Sequence, residues 1–308
     1  LSALKRWMDV MDFRRPICWT FLPSPLTLEV VRRIPHQALV YYCIDSFVNS
    51  TSGARRIEAS ERTLFQMADL VFVTSSRLYE RAAQWNRRVH LFPFGVELDV
   101  FQRAEDAGIT APEELRRLSR PIIGYVGGVH QWVDQELLCR IAQAHPDYSF
   151  VLVGPAQTDV ERLRQQPNIV LLGQRPHGEL PSYVKHFDVG LIPYRLTEYT
   201  KSVYPTKLNE YHVMGKPVVS TPLPEILAFN RQHHDLVTVG SASEFDSALE
   251  RALHGDSQRL KTQRIEAARD NGWGRRIASM EALIAQVAAA KAEPMPENWA
   301  ARFAASLR

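Results

Sequence analysis

The chain has 308 residues, 45% of them hydrophobic and 23% charged, with a formal net charge of +3. That length and apolar content suffice for one large core or two medium ones, with two domains the better reading, and no run approaches the roughly 18 apolar residues of a membrane span. No charged-then-apolar leader opens the chain, and Cys18, Cys43 and Cys139 are odd in number without metal-ligand spacing, which points to a cytoplasmic protein with reduced cysteines, no cofactor and no metal centre. The positive excess lies in residues 1–120, with 17 Lys+Arg against 14 Asp+Glu. Arginine pairs at Arg14-Arg15, Arg32-Arg33, Arg55-Arg56 and Arg87-Arg88 fit either ordinary solvated helix faces or peripheral contact with an anionic membrane surface or diphospholipid. No basic stripe is interleaved with aromatics, which argues against nucleic acid.

In chain order, Ile17–Leu22, Ala38–Ile44, Leu70–Thr74 and Val89–Phe92 are short apolar runs rich in β-branched and aromatic residues, as buried strands are. Between them, Ser60–Ala68 is amphipathic, and Ser75 or Ser76 suits the cap of a helix over Leu78–Trp85. Strands alternating with helices imply a parallel sheet. Asp45 ends the second run, where it faces a cleft or serves a turn. Gln102–Arg120, with Gly108, Pro112 and alternating charges, reads as a linker with a short helix over Pro112–Leu118.

A second block opens with Pro121–Gly128, a strand running into two glycines. Gly127 and Gly128 allow close approach of a ligand, and a plain tight turn is equally open. A helix over Asp134–Ala144 follows, for which His130 and Asp134 suit the entry. Phe150–Pro155, Ile169–Gly173 and Val189–Pro193 continue the sheet, and Asn271–Arg276 leads into an apolar-striped helix over Ile277–Ala292.

The densest chemistry lies between Tyr204 and Thr221. Pro205 and Thr206 suit the first turn of a helix, whose free amides and partial positive charge favour an anion such as a diphosphate. Lys207 adds a full charge, and Glu210, three residues on, shares its face. Gly215 fits the left-handed position that ends the helix, and Pro217–Thr221 reads as the next buried strand. The polar loop before it carries Arg195 and Lys201 at the carboxyl end of a strand, where open α/β sheets bind ligands. An incidental Lys/Glu pair on a surface helix is the plain alternative, and Tyr204 either meets phosphate or packs.

Gly124–Glu225 resembles the donor-binding domain of the retaining glycosyltransferases of family 4, which have the GT-B fold of two Rossmann-like domains facing a cleft. The resemblance rests on Ile192-Pro193-Tyr194-Arg195, Pro205-Thr206-Lys207-Leu208-Asn209-Glu210-Tyr211, Gly215–Thr221 and Leu223-Pro224-Glu225, in order and spacing. Gly124–Asp134 is similar to the teichuronic acid and exopolysaccharide subgroup. Phe92–Phe101 resembles the segment closing the first domain, with Phe94 where Asn is usual. The resemblance implies Lys207 as phosphate ligand, Glu210 on the ribose, and Arg175, in Gly173-Gln174-Arg175-Pro176, beside the base. Ser202 stands where many members carry a first glutamate. The expected α/β organisation is a partial acceptor-side domain over 1–118, a nucleotide-sugar donor domain over 119–275, and a helix with tail over 276–308 returning to the first domain. The first block shows four strands where that family has six or seven. Its opening strands are therefore expected to be missing, leaving an edge prone to association into an oligomer.

The expected activity is retaining transfer of a sugar from a nucleotide-diphosphate sugar to a saccharide or lipid-linked acceptor. The leaving group would be stabilised by Lys207, Arg195 and the helix start at Thr206, with Asp45 as a further catalytic candidate. The donor-binding set is Gly127, Gly128, Arg175, Tyr204, Pro205, Thr206, Lys207 and Glu210. A catalytically silent nucleotide-sugar-binding module or partner subunit is the alternative, and a sugar-nucleotide epimerase fits the Pro-Thr-Lys arrangement less well.

Overall fold

The computed structural model describes residues 2–13, 15–50, 54–101 and 110–291. Arg14, the linker residues 102–109 and the tail from Glu293 lie outside these, as do the side chains of Arg55 and Arg56. Two wholly parallel sheets form. The first joins β1 (Ile17–Thr20), β2 (Ala38–Cys43), β3 (Leu70–Val73) and β4 (Val89–Leu91) in sequence order. The second comprises β5 (Ile122–Val126), β6 (Ser149–Val153), β7 (Ile169–Gly173), β8 (Val189–Ile192), β9 (Val218–Ser220) and β10 (Thr238–Val239). Its order is β10-β9-β8-β5-β6-β7, so the chain winds one way from β5 to β7 and then crosses back to β8. This doubly wound arrangement has its reversal between β5 and β8, the position at which such sheets bind ligands.

Burial follows the strand period of two. Along β2, Leu39, Tyr41 and Cys43 enter one core with Leu64, Phe65 and Leu78, while Ala38, Val40 and Tyr42 enter another on the opposite face. Met280, Ile284 and Val287 complete that second core. They belong to the helix Trp273–Ala290, which returns to the first sheet, where the Ala288 carbonyl accepts from Gln37 Nε2 at 3.1 Å. The crossing is tight. The Val96 amide donates to the Asn271 carbonyl at 3.1 Å, the Trp273 amide donates back to Val96 at 3.2 Å, and a side chain on Gly95 would meet the Trp273 ring at 2.8 Å.

Several elements escape the sequence reading, among them the helices Ser2–Val10, Pro25–Arg33, Leu180–His186, Pro224–His233, Phe245–His254 and Gln258–Asp270, and Thr238–Val239, an edge strand too short to show a pattern. β1 also borders no strand on its outer side among the described residues, and Ile17 and Trp19 on it are exposed.

Two glycines facing each other across β5 and β8, Gly124 and Gly190, make room for rings on the covering helices. A Cβ would come within 2.0 Å of Phe187 at Gly124 and 2.6 Å of Tyr211 at Gly190. Gly190→Ala is expected to cost about 1–3 kcal/mol through overpacking, read as a lower urea midpoint. Gly178→Ala, where a Cβ meets nothing within 4 Å, should leave the midpoint unchanged.

Candidate functional site

At the carboxyl ends of β5 and β8 the loops are bonded to each other. Asp134 N donates to the Pro193 carbonyl at 2.8 Å and Arg195 N to the Trp132 carbonyl at 2.8 Å. Gly127, with φ of 130°, turns the chain out of β5.

Lys207 lies directly over this turn. A Cβ on Gly127 would stand 3.5 Å from its Nζ. The ammonium donates to the Tyr194 hydroxyl and sits 5.1 Å from the Tyr125 ring centre and 4.8 Å from that of Tyr194. The residue is only 7% exposed, and among the described residues no carboxylate pairs with it. Ring faces attract a cation, but an ammonium removed from water without a counter-ion is costly. The arrangement is therefore most stable with an anion bound beside Gly127.

The helix behind it runs Lys207–Val213, following Thr206. Thr206 does not cap it as the sequence suggests: its backbone is already helical and its exposed side chain makes no capping bond. The amides of Leu208 and Asn209 are spent on the carbonyls of Pro205 and Thr206 at 3.0 and 3.1 Å. Positive charge at this end comes mainly from Lys207. Gly215, with φ of 67°, ends the helix as expected. Glu210 turns to a different partner from Lys207, with His177 Nε2 3.8 Å from its carboxylate. The nearby Glu210 carboxylate raises the His177 pKa, against desolvation.

The remaining candidates are engaged elsewhere. Arg195 is exposed, with Nε 3.8 Å from Asp134, whose carboxylate accepts the Leu137 amide at 3.0 Å and so caps the helix Gln135–Ala144. Arg175 is held by Glu114 at 3.0 Å and the Tyr183 hydroxyl at 2.9 Å. Tyr204 packs rather than facing a ligand, donating to Asn209 at 2.9 Å. Asn209 in turn donates to the Phe94 carbonyl at 3.0 Å, joining the helix to the first half. Asp45 is not a free carboxylate: it accepts the Tyr199 hydroxyl at 2.7 Å across the cleft and the Ser46 amide at 2.8 Å. Its pKa is raised, chiefly by burial, against those two bonds. Glu225 also crosses the cleft, accepting the Ser76 amide at 2.8 Å. Tyr125, Tyr194, Tyr199 and His177 were not singled out as site residues from the sequence, because an aromatic at a strand end, like Tyr125 and Tyr194, reads as core, and Tyr199 and His177 lie in connecting segments with no pattern of their own.

The family whose description is Glycosyl transferases group 1 matches residues 120–255, the stretch that carries β5 to β10 and Lys207. That stretch is similar to the group 1 glycosyl transferases. Over 257 residues the chain is 28% identical to TuaH of Bacillus subtilis (strain 168), described as a teichuronic acid biosynthesis glycosyltransferase. The match takes in 76% of this chain and 64% of that relative, so the chain spans less than two thirds of its length. Among solved structures, a sucrose-phosphate synthase of Thermosynechococcus elongatus superposes with a TM-score of 0.73 at 19% identity, covering 94% of this chain and 77% of that one. HepE of Anabaena, solved with UDP, superposes with 0.68 at 16% identity over 88% and 79%. A trehalose 6-phosphate synthase of Burkholderia multivorans gives 0.69 at 14% over 94% and 76%. These likenesses show the GT-B fold, to which the two parallel sheets belong.

On the helix that begins at Lys207, His212 is buried with neither ring nitrogen hydrogen-bonded. Burial, with Arg264 and His233 nearby, holds its pKa well below the ordinary 6.5. The unfolded chain therefore takes up a proton first as pH falls, and the stabilising contribution present above 6.5 is lost progressively below it. Urea midpoints should fall from pH 7 to pH 5, and His212→Phe should flatten that slope.

Proposed function

We propose that the chain binds a nucleotide-diphosphate sugar at the β5–β8 reversal and transfers the sugar to a saccharide or lipid-linked acceptor in polysaccharide biosynthesis. One observation carries this reading: Lys207 is a buried ammonium with no carboxylate partner among the described residues, placed over Gly127. The names of the relatives support it, since HepE structures are described with UDP, with UDP and glucose, and with UDP-glucose, and TuaH as a glycosyltransferase of teichuronic acid biosynthesis. Glu210 is suited to accept hydrogen bonds from ribose hydroxyls, one helical turn from the phosphate pole. Charge developing on the leaving diphosphate would be met by Lys207 in a preorganised setting, with retention of configuration and no metal requirement. Arg195 and Arg175 would join the ligand only by leaving Asp134 and Glu114. The work would take place in the cytoplasm at the inner face of a membrane, and the outer edge of β1 offers a route to an oligomer. Among the described residues no helix is long and apolar enough to cross a membrane.

A second reading, a silent nucleotide-sugar-binding subunit, is favoured by one feature: Asp45 is occupied by Tyr199. Release of nucleoside diphosphate from a panel of nucleotide sugars with saccharide and lipid-linked acceptors separates the two.

Titration calorimetry with UDP, GDP, ADP and dTDP should give binding of at least one, unchanged by EDTA. Lys207→Met should weaken it about 10- to 100-fold, as expected for a lost hydrogen bond to a charged group. The same substitution should raise the ligand-free unfolding free energy by about 1 kcal/mol, because an unpaired buried charge is removed. No diphosphate binding, or binding indifferent to the substitution, would overturn the site. Tyr199→Phe should leave that affinity within about twofold while removing the bond to Asp45, worth about 1 kcal/mol.

A further inference from the structure

One residue beyond Gly127 the backbone is again bare, and two side chains from different loops close over it. A Cβ on Gly128 would stand 2.2 Å from Gln157 Oε1 and 3.3 Å from His130 Cδ2. Gln157 comes from the loop after β6, and His130 from the loop after β5. Among the described residues neither side chain has a hydrogen-bond partner within the protein. Their neighbours are spent: the Tyr125 hydroxyl donates to the Gly128 carbonyl at 2.9 Å, Tyr194 takes Lys207, and Tyr199 is bonded to Asp45.

The imidazole is also held in place. It stacks on Trp132 with ring centres 3.9 Å apart and planes at 21°, and Trp132 in turn leans on Tyr199 at 5.1 Å. Desolvation and the charge of Lys207 lower the His130 pKa, which keeps the ring neutral at pH 7. A neutral imidazole and an amide can each donate and accept hydrogen bonds, which is what a sugar hydroxyl requires. The diphosphate's need for charge is already met at Lys207, one residue away.

We propose that His130 and Gln157 grip hydroxyls of the donor's glycosyl group across Gly128, so that this pair sets which sugar the protein accepts. The proposal rests on the nucleotide-sugar reading above and assigns side chains to its sugar end.

Calorimetry should compare each bare nucleoside diphosphate (UDP, GDP, ADP, dTDP) with its sugars, including glucose, galactose, mannose, N-acetylglucosamine and glucuronate derivatives. The expected result is that one sugar nucleotide binds more tightly than its diphosphate. His130→Ala and Gln157→Ala should each cut that gain about 3- to 10-fold, the worth of one neutral hydrogen bond, with diphosphate affinity within about twofold. His130→Gln should recover part of the loss. Gln157 is exposed, so its substitution tests the idea even if loss of the His130–Trp132 stack disturbs the loop. Equal weakening of diphosphate and sugar nucleotide would place the pair on the nucleotide, and unchanged gains would place it in solvent; either overturns the proposal. Normal diphosphate binding with no gain for any sugar overturns it alone, whereas failure of every diphosphate to bind removes the nucleotide reading with it.

Discussion

The hydroxyl of Tyr211 lies where β5 and β8 part, accepting the Val126 amide at 2.9 Å and lying 3.5 and 3.4 Å from the carbonyls of Gly124 and Leu191. Pairing of β5 with β8 runs only through Ile123 and Gly124, so the buried amide just beyond would otherwise lack a partner, a cost of a few kcal/mol. The phenol supplies that partner from the helix that begins at Lys207, and it reaches there because Gly190 has no side chain. The helix is thereby fixed to the sheet at the reversal of strand order. The position of Lys207 over Gly127, the two tyrosine faces beside it and the separate course of Glu210 toward His177 all follow from this attachment.

A consequence is that flexibility is spent elsewhere. Lys207 is surrounded by residues of the second sheet, and its environment stays the same however the two halves sit. Besides the packing of the returning helix, the contacts that would respond to relative movement include four polar ones: Asp45 with Tyr199, Ser76 with Glu225, Asn209 with the Phe94 carbonyl, and Arg77 with Glu198 at 2.5 Å. The last is exposed and worth little in water, whereas Asp45 and Glu225 are largely buried and have raised pKa values. Their bonds cost desolvation that an open cleft would recover. A rigid anion pole facing a weakly closed opposite wall is an arrangement that holds one ligand while admitting another.

Much of this was legible in residue order. All four strands of the first sheet and five of the six in the second announce themselves as short apolar runs, because strands covered on both faces need no alternation. Gly215 and the capping Asp134 were readable because a left-handed turn and an orphan helix amide each favour few residue types. Thr206 misleads because capping depends on backbone angles that Pro205 and the preceding short turn set. Arg195 and Arg175 mislead for another reason: sequence shows a charge but not the carboxylate, Asp134 or Glu114, that meets it from a distant element. The tyrosines around Lys207 were hidden because a phenol at a strand end has the same local pattern whether it fills a core or flanks a cation.

The returning helix Trp273–Ala290 unites residues far apart in the chain. Met280, Ile284 and Val287 are core residues of a sheet made from residues 17–91, so the half encoded first lacks part of its interior until residues 280–287 have been made. The half encoded second has its whole sheet by Val239. During synthesis the order of completion is therefore reversed from the order of the sequence. Until the helix Trp273–Ala290 arrives, Val40, Tyr42 and Phe72 present an open apolar face, and the growing chain must be kept from sticking at the very surface that this helix later covers.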